Sequence, residues 1–167
     1  QNYVNPKTDS IKLIYVGRIK KEKGIYSLLT LIKDQSKINL TIVGASEEDN
    51  KLTNQQNINI INIIKDKKKL INLYDESNIM ILPSYTEGYP MVILESLARR
   101  RPVIVFKEIE HVVEDRKGIF VANRDHQSLI QKINYIIDNY HSIQESMKSN
   151  RLPDNESFIK QLKVILS

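Results

Sequence analysis

Cysteine is absent from the 167-residue chain, which excludes disulfides and thiolate metal sites and fits a reducing cytoplasm. Glycine and proline number only five each, and 41% of the residues are hydrophobic against 27% charged. That balance argues against disordered and fibrous classes. No apolar run approaches the roughly 18 residues of a membrane span, and no stretch reads as a signal peptide. His, Asp and Glu do not cluster at metal-ligand spacing and no serine nucleophile elbow is present, so no bound metal or other cofactor is expected. The length suits one domain with a proper core. Opening on Gln1, the chain is expected to be a piece of a longer protein.

The net charge of +5 raises the question of an anionic partner. Basic clusters stand at Lys65 to Lys69, Arg99 to Arg101 and Arg116-Lys117. They lack interleaved aromatic residues on which bases could stack, so nucleic acid is not the expected partner. Peripheral contact with an anionic membrane at its cytoplasmic face remains open.

Strand and helix patterns alternate along the chain. Polar residues 1–10 read as a linker remnant, and residues 11–167 as one domain. Strands are expected at Lys12–Val16, Asn39–Gly44, Asn57–Asn62, Asn78–Leu82, Arg101–Phe106 and Gly118–Val121. Between them lie helical faces: Ile25, Leu28, Leu29 and Ile32, then Leu70, Ile71, Leu73 and Tyr74 after the cap Asp66. Asp125 caps a helix with Leu129, Ile133, Ile136 and Ile137 inward, and Pro153 to Leu166 reads as a terminal helix. The expectation is an α/β, Rossmann-like, open and mostly parallel sheet of about six strands with helices on both faces.

One stretch organises the rest. The run Asn78-Ile79-Met80-Ile81-Leu82 is closed by Pro83, and Ser84 to Ala98 reads as strand end, tight loop and helix start. Gly88 is expected to supply freedom for a sharp turn, and Pro90 to open a helix running to Arg100. A helix start presents unpaired N–H groups and the positive end of a dipole, an arrangement that holds phosphate. Glu95 lies about 7 to 8 Å further down the axis at 1.5 Å per residue. A second loop, carrying Arg18 and Lys23, also follows a parallel strand, and ligands bind at the carboxyl ends of such strands. An arginine fork and a lysine point charge together match a diphosphate. His111 stands near this site and is either a ligand contact or a surface residue.

Glu87 and Glu95, in the frame Pro83-Ser84-x-x-Glu87-Gly88-Tyr89-Pro90-Met91-Val92-x-Leu94-Glu95-x-x-Ala98, resemble the signature of the group 1 (family 4) retaining glycosyltransferases of the GT-B fold. Val16-Gly17-Arg18, followed by Glu22-Lys23-Gly24, is similar to that family's other motif. The resemblance covers roughly residues 11 to 166, the C-terminal donor-binding half in that family, so the family's N-terminal acceptor domain is expected to lie outside this chain. It implies that Arg18 and Lys23 bind the diphosphate of a nucleotide sugar beside Gly17. Backbone N–H groups of Gly88, Tyr89, Met91 and Val92 assist, Glu95 holds ribose hydroxyls, and Glu87 holds a donor-sugar hydroxyl. The backbone at Ile64 meets the base. UDP is the expected nucleotide, and a saccharide or lipid-linked saccharide the expected acceptor, in bacterial surface polysaccharide or lipopolysaccharide assembly.

The sequence departs from the family at Lys107 to His111, where a glycine-rich segment usually approaches the sugar. An epimerase of the same fold, or a binding module without catalysis, stays open as an alternative.

Overall fold

The computed structural model describes residues 9–46 and 56–152. The acidic loop Glu47-Glu48-Asp49, the expected helix Pro153 to Leu166 and all but the last two residues of the expected linker lie outside the described residues.

Six strands form one sheet: β1 Ile11–Val16, β2 Ile38–Ala45, β3 Ile58–Asn62, β4 Ile79–Leu82, β5 Val103–Phe106 and β6 Ile119–Ala122. Their order is β3-β2-β1-β4-β5-β6 and every pairing is parallel. Leu13 of β1 sits between Leu40 of β2 and Ile79 of β4, which fixes the register at the centre of the sheet. All four residues of β4 and of β5 are buried, as expected for central strands covered on both faces. β3, at the edge, leaves Asn59 and Asn62 exposed.

The helices are α1 Ile25–Ile32, α2 Lys67–Glu76, α3 Met91–Ala98, α4 His126–Asp138 and α5 Tyr140–Ser146. α1 and α4 pack together, with His126 Nδ1 donating to the Leu31 carbonyl at 2.7 Å. α2 and α3 are joined through Tyr74 and Glu95 and through Asp75 and Arg99. The strand order reverses direction at β1 and β4, so right-handed crossovers put these two pairs on opposite faces. Asp66 and Asp125 cap α2 and α4, accepting from the backbone N–H groups of Lys68 and Ser128.

Several expectations change in detail. β2 and β6 extend a residue beyond the expected ends, and β3 and β5 start later, at Ile58 and Val103. Ile71 is 40% exposed, so α2 buries a narrower face centred on Tyr74. Helix α3 ends at Ala98, because Arg100 takes a left-handed φ of 53° that no helix continues through. The Arg99 to Arg101 cluster is not a free basic patch. Arg101 is 1% exposed and donates from Nε to the Tyr74 carbonyl at 3.0 Å and from Nη2 to the Asp75 carbonyl at 2.7 Å. It satisfies the C-terminal end of α2, where a cation also meets the negative end of the helix dipole. Arg99 pairs with the Asp75 carboxylate.

Candidate functional site

β1 and β4 are neighbours at the point where the strand order reverses, so the loops leaving their carboxyl ends open into the same crevice. From β1, the Gly17 N–H donates to the Val43 carbonyl at 2.9 Å. The buried Tyr15 hydroxyl donates to the Arg18 carbonyl at 2.7 Å. Burial, and next the Glu87 carboxylate, push the Tyr15 phenol well above its ordinary ionisation range, so it remains a donor. The turn is thereby anchored while the Arg18 side chain stands in solvent. A 3-10 turn at Lys21–Lys23 follows, and Gly24, at φ 67°, turns the chain into α1.

From β4, the chain passes through Pro83 and the fully buried Ser84. The Tyr85 N–H donates to the Glu22 carbonyl at 2.9 Å, tying the two loops together. Glu87 is the meeting point. Its Oε1 accepts from Lys23 Nζ at 2.7 Å and from the Ser84 hydroxyl at 2.6 Å. Its carbonyl accepts from His111 Nε2 at 2.9 Å, a contact that requires the ring proton on Nε2. Side-chain exposure is 23% for Lys23 and 11% for Glu87, so the pair is shielded without being sealed from solvent. His111, expected as a ligand contact or a surface residue, is exposed, and its ring steadies the loop backbone.

Pro90 precedes α3 instead of opening it. Its ψ of 100° is extended, and Met91 is the first helical residue. A proline disfavours the helical region for the residue before it, which keeps Tyr89 outside the helix. Gly88 also departs from expectation: its φ is not positive, and a Cβ there would meet nothing within 4 Å. The turn therefore makes no demand for glycine at Gly88. Tyr89 and Met91 are more than half exposed beside it, Val92 is half-buried, and Arg116 lies 5.9 Å from the Tyr89 ring centroid.

Glu95, on α3, accepts at Oε2 from the Tyr74 hydroxyl at 2.9 Å. Tyr74 is 1% exposed, and burial together with that carboxylate pushes its phenol far above the usual value. It stays protonated and fixes one oxygen of Glu95, leaving the other lone pairs for a ligand's hydroxyls. Ile64 follows edge strand β3, two strands from β1 on the same carboxyl side of the sheet, and stands apart from the Lys23 and Glu87 cluster.

Sequence reasoning missed Arg124, just beyond β6. Its guanidinium donates to the Pro83 carbonyl at 2.9 Å and the Ser84 carbonyl at 3.1 Å, and pairs with Glu108 at 2.6 Å. It also lies 3.9 Å from the Tyr85 ring centroid and 4.4 Å from that of Phe106. The one signal for it is positional, an arginine at the carboxyl end of a parallel strand.

A family model described as "Glycosyl transferases group 1" matches residues 2–152. The capsular polysaccharide biosynthesis glycosyltransferase CapM of Staphylococcus aureus is 30% identical over 155 residues, 85% of this chain and 40% of that protein. The chain thus spans well under two thirds of this relative. Among solved structures, sucrose-phosphate synthase of Thermosynechococcus elongatus superposes with a TM-score of 0.76 at 20% identity, over 97% of this chain and 46% of that one. HepE of Anabaena, solved with UDP and glucose, superposes with a TM-score of 0.75 at 16% identity, over 95% of this chain and 48% of its own. These neighbours share the all-parallel Rossmann-like architecture of GT-B proteins, and the chain matches their C-terminal half. By the match of its sequence over residues 2–152 and by its fold, the chain belongs to the group 1 glycosyl transferases.

Proposed function

We propose that this chain is the donor-binding half of a retaining glycosyltransferase. The enzyme would move a sugar from a nucleoside diphosphate, UDP by preference, to an acceptor hydroxyl in bacterial surface polysaccharide assembly. The observation that carries this reading is the convergence of Lys23 and Glu87 at 2.7 Å, from two loops far apart in sequence. They meet beside the exposed Arg18 and ahead of the helix that bears Glu95.

In this reading Arg18 and Lys23 take the diphosphate, beside Gly17. The N–H groups of Gly88, Tyr89, Met91 and Val92 add donors, and Glu95 accepts from ribose hydroxyls. Glu87 accepts from a hydroxyl of the donor sugar and faces its anomeric carbon, and the backbone at Ile64 meets the base. As the bond from the anomeric carbon to the diphosphate breaks, negative charge grows on the departing phosphate oxygen. Cations and N–H groups already oriented there stabilise that charge more than they stabilise the bound donor, which lowers the barrier. The new bond to the acceptor oxygen forms on the face the diphosphate leaves, and the acceptor hydroxyl gives its proton to the departing phosphate oxygen.

UDP in the HepE structure supports the choice of nucleotide, and the name of CapM supports the polysaccharide setting. The acceptor, a saccharide or lipid-linked saccharide, falls to the part of the longer relatives that this chain does not span. The test is calorimetric titration of the chain with UDP, GDP and ADP, repeated for Arg18→Ala and Glu95→Ala. Saturable binding of UDP that both substitutions weaken is the expected result. Binding of none of the three nucleotides overturns the reading for this chain.

A further inference from the structure

Neither motif of the site contains Arg124, yet its side chain holds the base of the Glu87 loop. Nη1 and Nη2 donate to two consecutive carbonyls, those of Pro83 and Ser84, at 2.9 and 3.1 Å. Nε donates to Glu108, and the guanidinium lies against the Tyr85 and Phe106 rings. Only 13% of the side chain is exposed. Gly24 makes room for this arrangement, since a Cβ there would stand 1.9 Å from the Pro83 oxygen and 3.1 Å from Nη1.

The second of those carbonyls belongs to the residue whose hydroxyl donates to Glu87 Oε1 at 2.6 Å. One chain of contacts therefore runs from β6 through the Ser84 peptide to the carboxylate that meets Lys23. We propose that Arg124 is a positioning residue for Glu87, fixing the Pro83-Ser84 peptides so that the carboxylate stays at its working place beside Lys23. The proposal rests on the reading of Glu87 as the contact to the donor sugar. It names a residue just beyond a different strand, β6, with a role that acts through backbone.

A planar guanidinium can reach two carbonyls and a carboxylate at once, whereas a lysine ammonium keeps the charge but not the fork. Arg124→Lys is accordingly the informative variant, with Arg124→Ala beside it. The first readout is amide hydrogen exchange on the chain without ligand. Loss of the fork should speed exchange of the Tyr85 N–H by about tenfold or more, the scale of one charge-assisted hydrogen bond. The Met80 N–H, in β4, should keep its protection, which a general loss of stability would not allow. The second readout is UDP affinity, expected to stay within about twofold of wild type because Glu95, Arg18 and Lys23 remain in place. The third is release of UDP from UDP-glucose and UDP-N-acetylglucosamine by an enzyme containing both halves. There kcat should fall about tenfold or more with KM little changed, and Arg124→Lys should rescue neither kcat nor Tyr85 protection.

Unchanged Tyr85 exchange in Arg124→Lys overturns the proposal, and so does wild-type kcat in a variant whose Tyr85 exchange has risen. If wild type binds no UDP, the donor-site reading falls, and the hold on the loop is still decided by exchange alone.

Discussion

The Lys23 ammonium donates to Glu87 Oε1 at 2.7 Å, so these two charged groups of the crevice are paired with each other. On the proposed donor reading, a diphosphate at Lys23 competes with that carboxylate. Removing Lys23 deletes a charge-assisted bond worth about 1.5 to 3 kcal/mol, so Lys23→Ala should weaken UDP about tenfold to a hundredfold. Removing the carboxylate frees the ammonium, so Glu87→Ala should leave UDP affinity equal or higher while abolishing transfer in an enzyme with both halves. Calorimetry on both variants checks this, and a large loss of UDP affinity in Glu87→Ala would contradict the competition.

The Tyr74 hydroxyl is the internal partner of Glu95, at 2.9 Å. Tyr74→Phe keeps the buried ring and removes only that donor. The carboxylate should then swing among rotamers, and UDP affinity should drop about fivefold, less than the roughly 1.5 to 3 kcal/mol of the charge-assisted bond removed, because Glu95 itself stays in the site. Titration with UDP, alongside a thermal melt that should move by only a few degrees, separates the local effect from unfolding. If UDP affinity falls no further in Tyr74→Phe than in an exposed control such as Tyr135→Phe, the hydroxyl does not position Glu95.

Much of this architecture was legible locally. The apolar run Ile79 to Leu82 closed by Pro83, and the caps Asp66 and Asp125, depend on residues within a few positions of each other, and they fold as their patterns predict. The pairing of the two motif loops followed from parallel-strand logic. What sequence could not carry was side-chain fate. Three adjacent arginines look alike, yet Arg99 meets a carboxylate and Arg101 is buried against the end of α2. The difference arises from where α2 ends in space. The contacts of Arg124 escaped the sequence for the same reason: its position after a strand is a signal, but no spacing rule joins residue 124 to the Pro83 carbonyl.

Burial pushes three phenols up: Tyr15, Tyr74 and, to about 12, Tyr140, whose hydroxyl donates to the Asn78 carbonyl at 2.6 Å. In the unfolded chain a tyrosine ionises near about 10. Below that value both states are protonated and the stabilising difference is fully present. Above it the unfolded chain loses protons that the folded chain keeps, so stability falls by up to about 1.4 kcal/mol per pH unit for each such phenol. For Tyr140 the window runs from the unfolded value up to about 12. Urea unfolding at rising alkaline pH should show this loss. Tyr140→Phe should be weaker by about 1 to 2 kcal/mol at neutral pH, its carbonyl partner left bare, and shallower in its alkaline slope. Equal slopes for variant and wild type would mean Tyr140 ionises in the folded protein as it does unfolded.

The two loop glycines should respond in opposite ways to the same added methyl group. At Gly24 the backbone is left-handed, at φ 67°, and a Cβ would lie 1.9 Å from the Pro83 oxygen and 2.8 Å from its carbon. Those are backbone atoms, so relief requires the Glu22 to Gly24 turn to part from the start of the Glu87 loop. Left-handed strain of about 1 to 2 kcal/mol adds to an overpacking cost of about 1 to 3 kcal/mol. Gly24→Ala should therefore lose stability markedly and open the Lys23 to Glu87 contact. At Gly88 φ is not positive and nothing lies within 4 Å of the new carbon. Gly88→Ala should be neutral or slightly stabilising, by up to about 1 kcal/mol through the unfolded chain. If a donor's phosphate or sugar comes close to that backbone, the methyl group stands in its way, and UDP-sugar affinity should drop in a protein that melts as wild type does. Thermal melts and nucleotide titrations on both variants decide the matter. A destabilised Gly88→Ala beside a tolerated Gly24→Ala would reverse the roles given to the two loops. A stable Gly88→Ala with undiminished affinity for UDP and its sugars would remove the Gly88 backbone from the donor site.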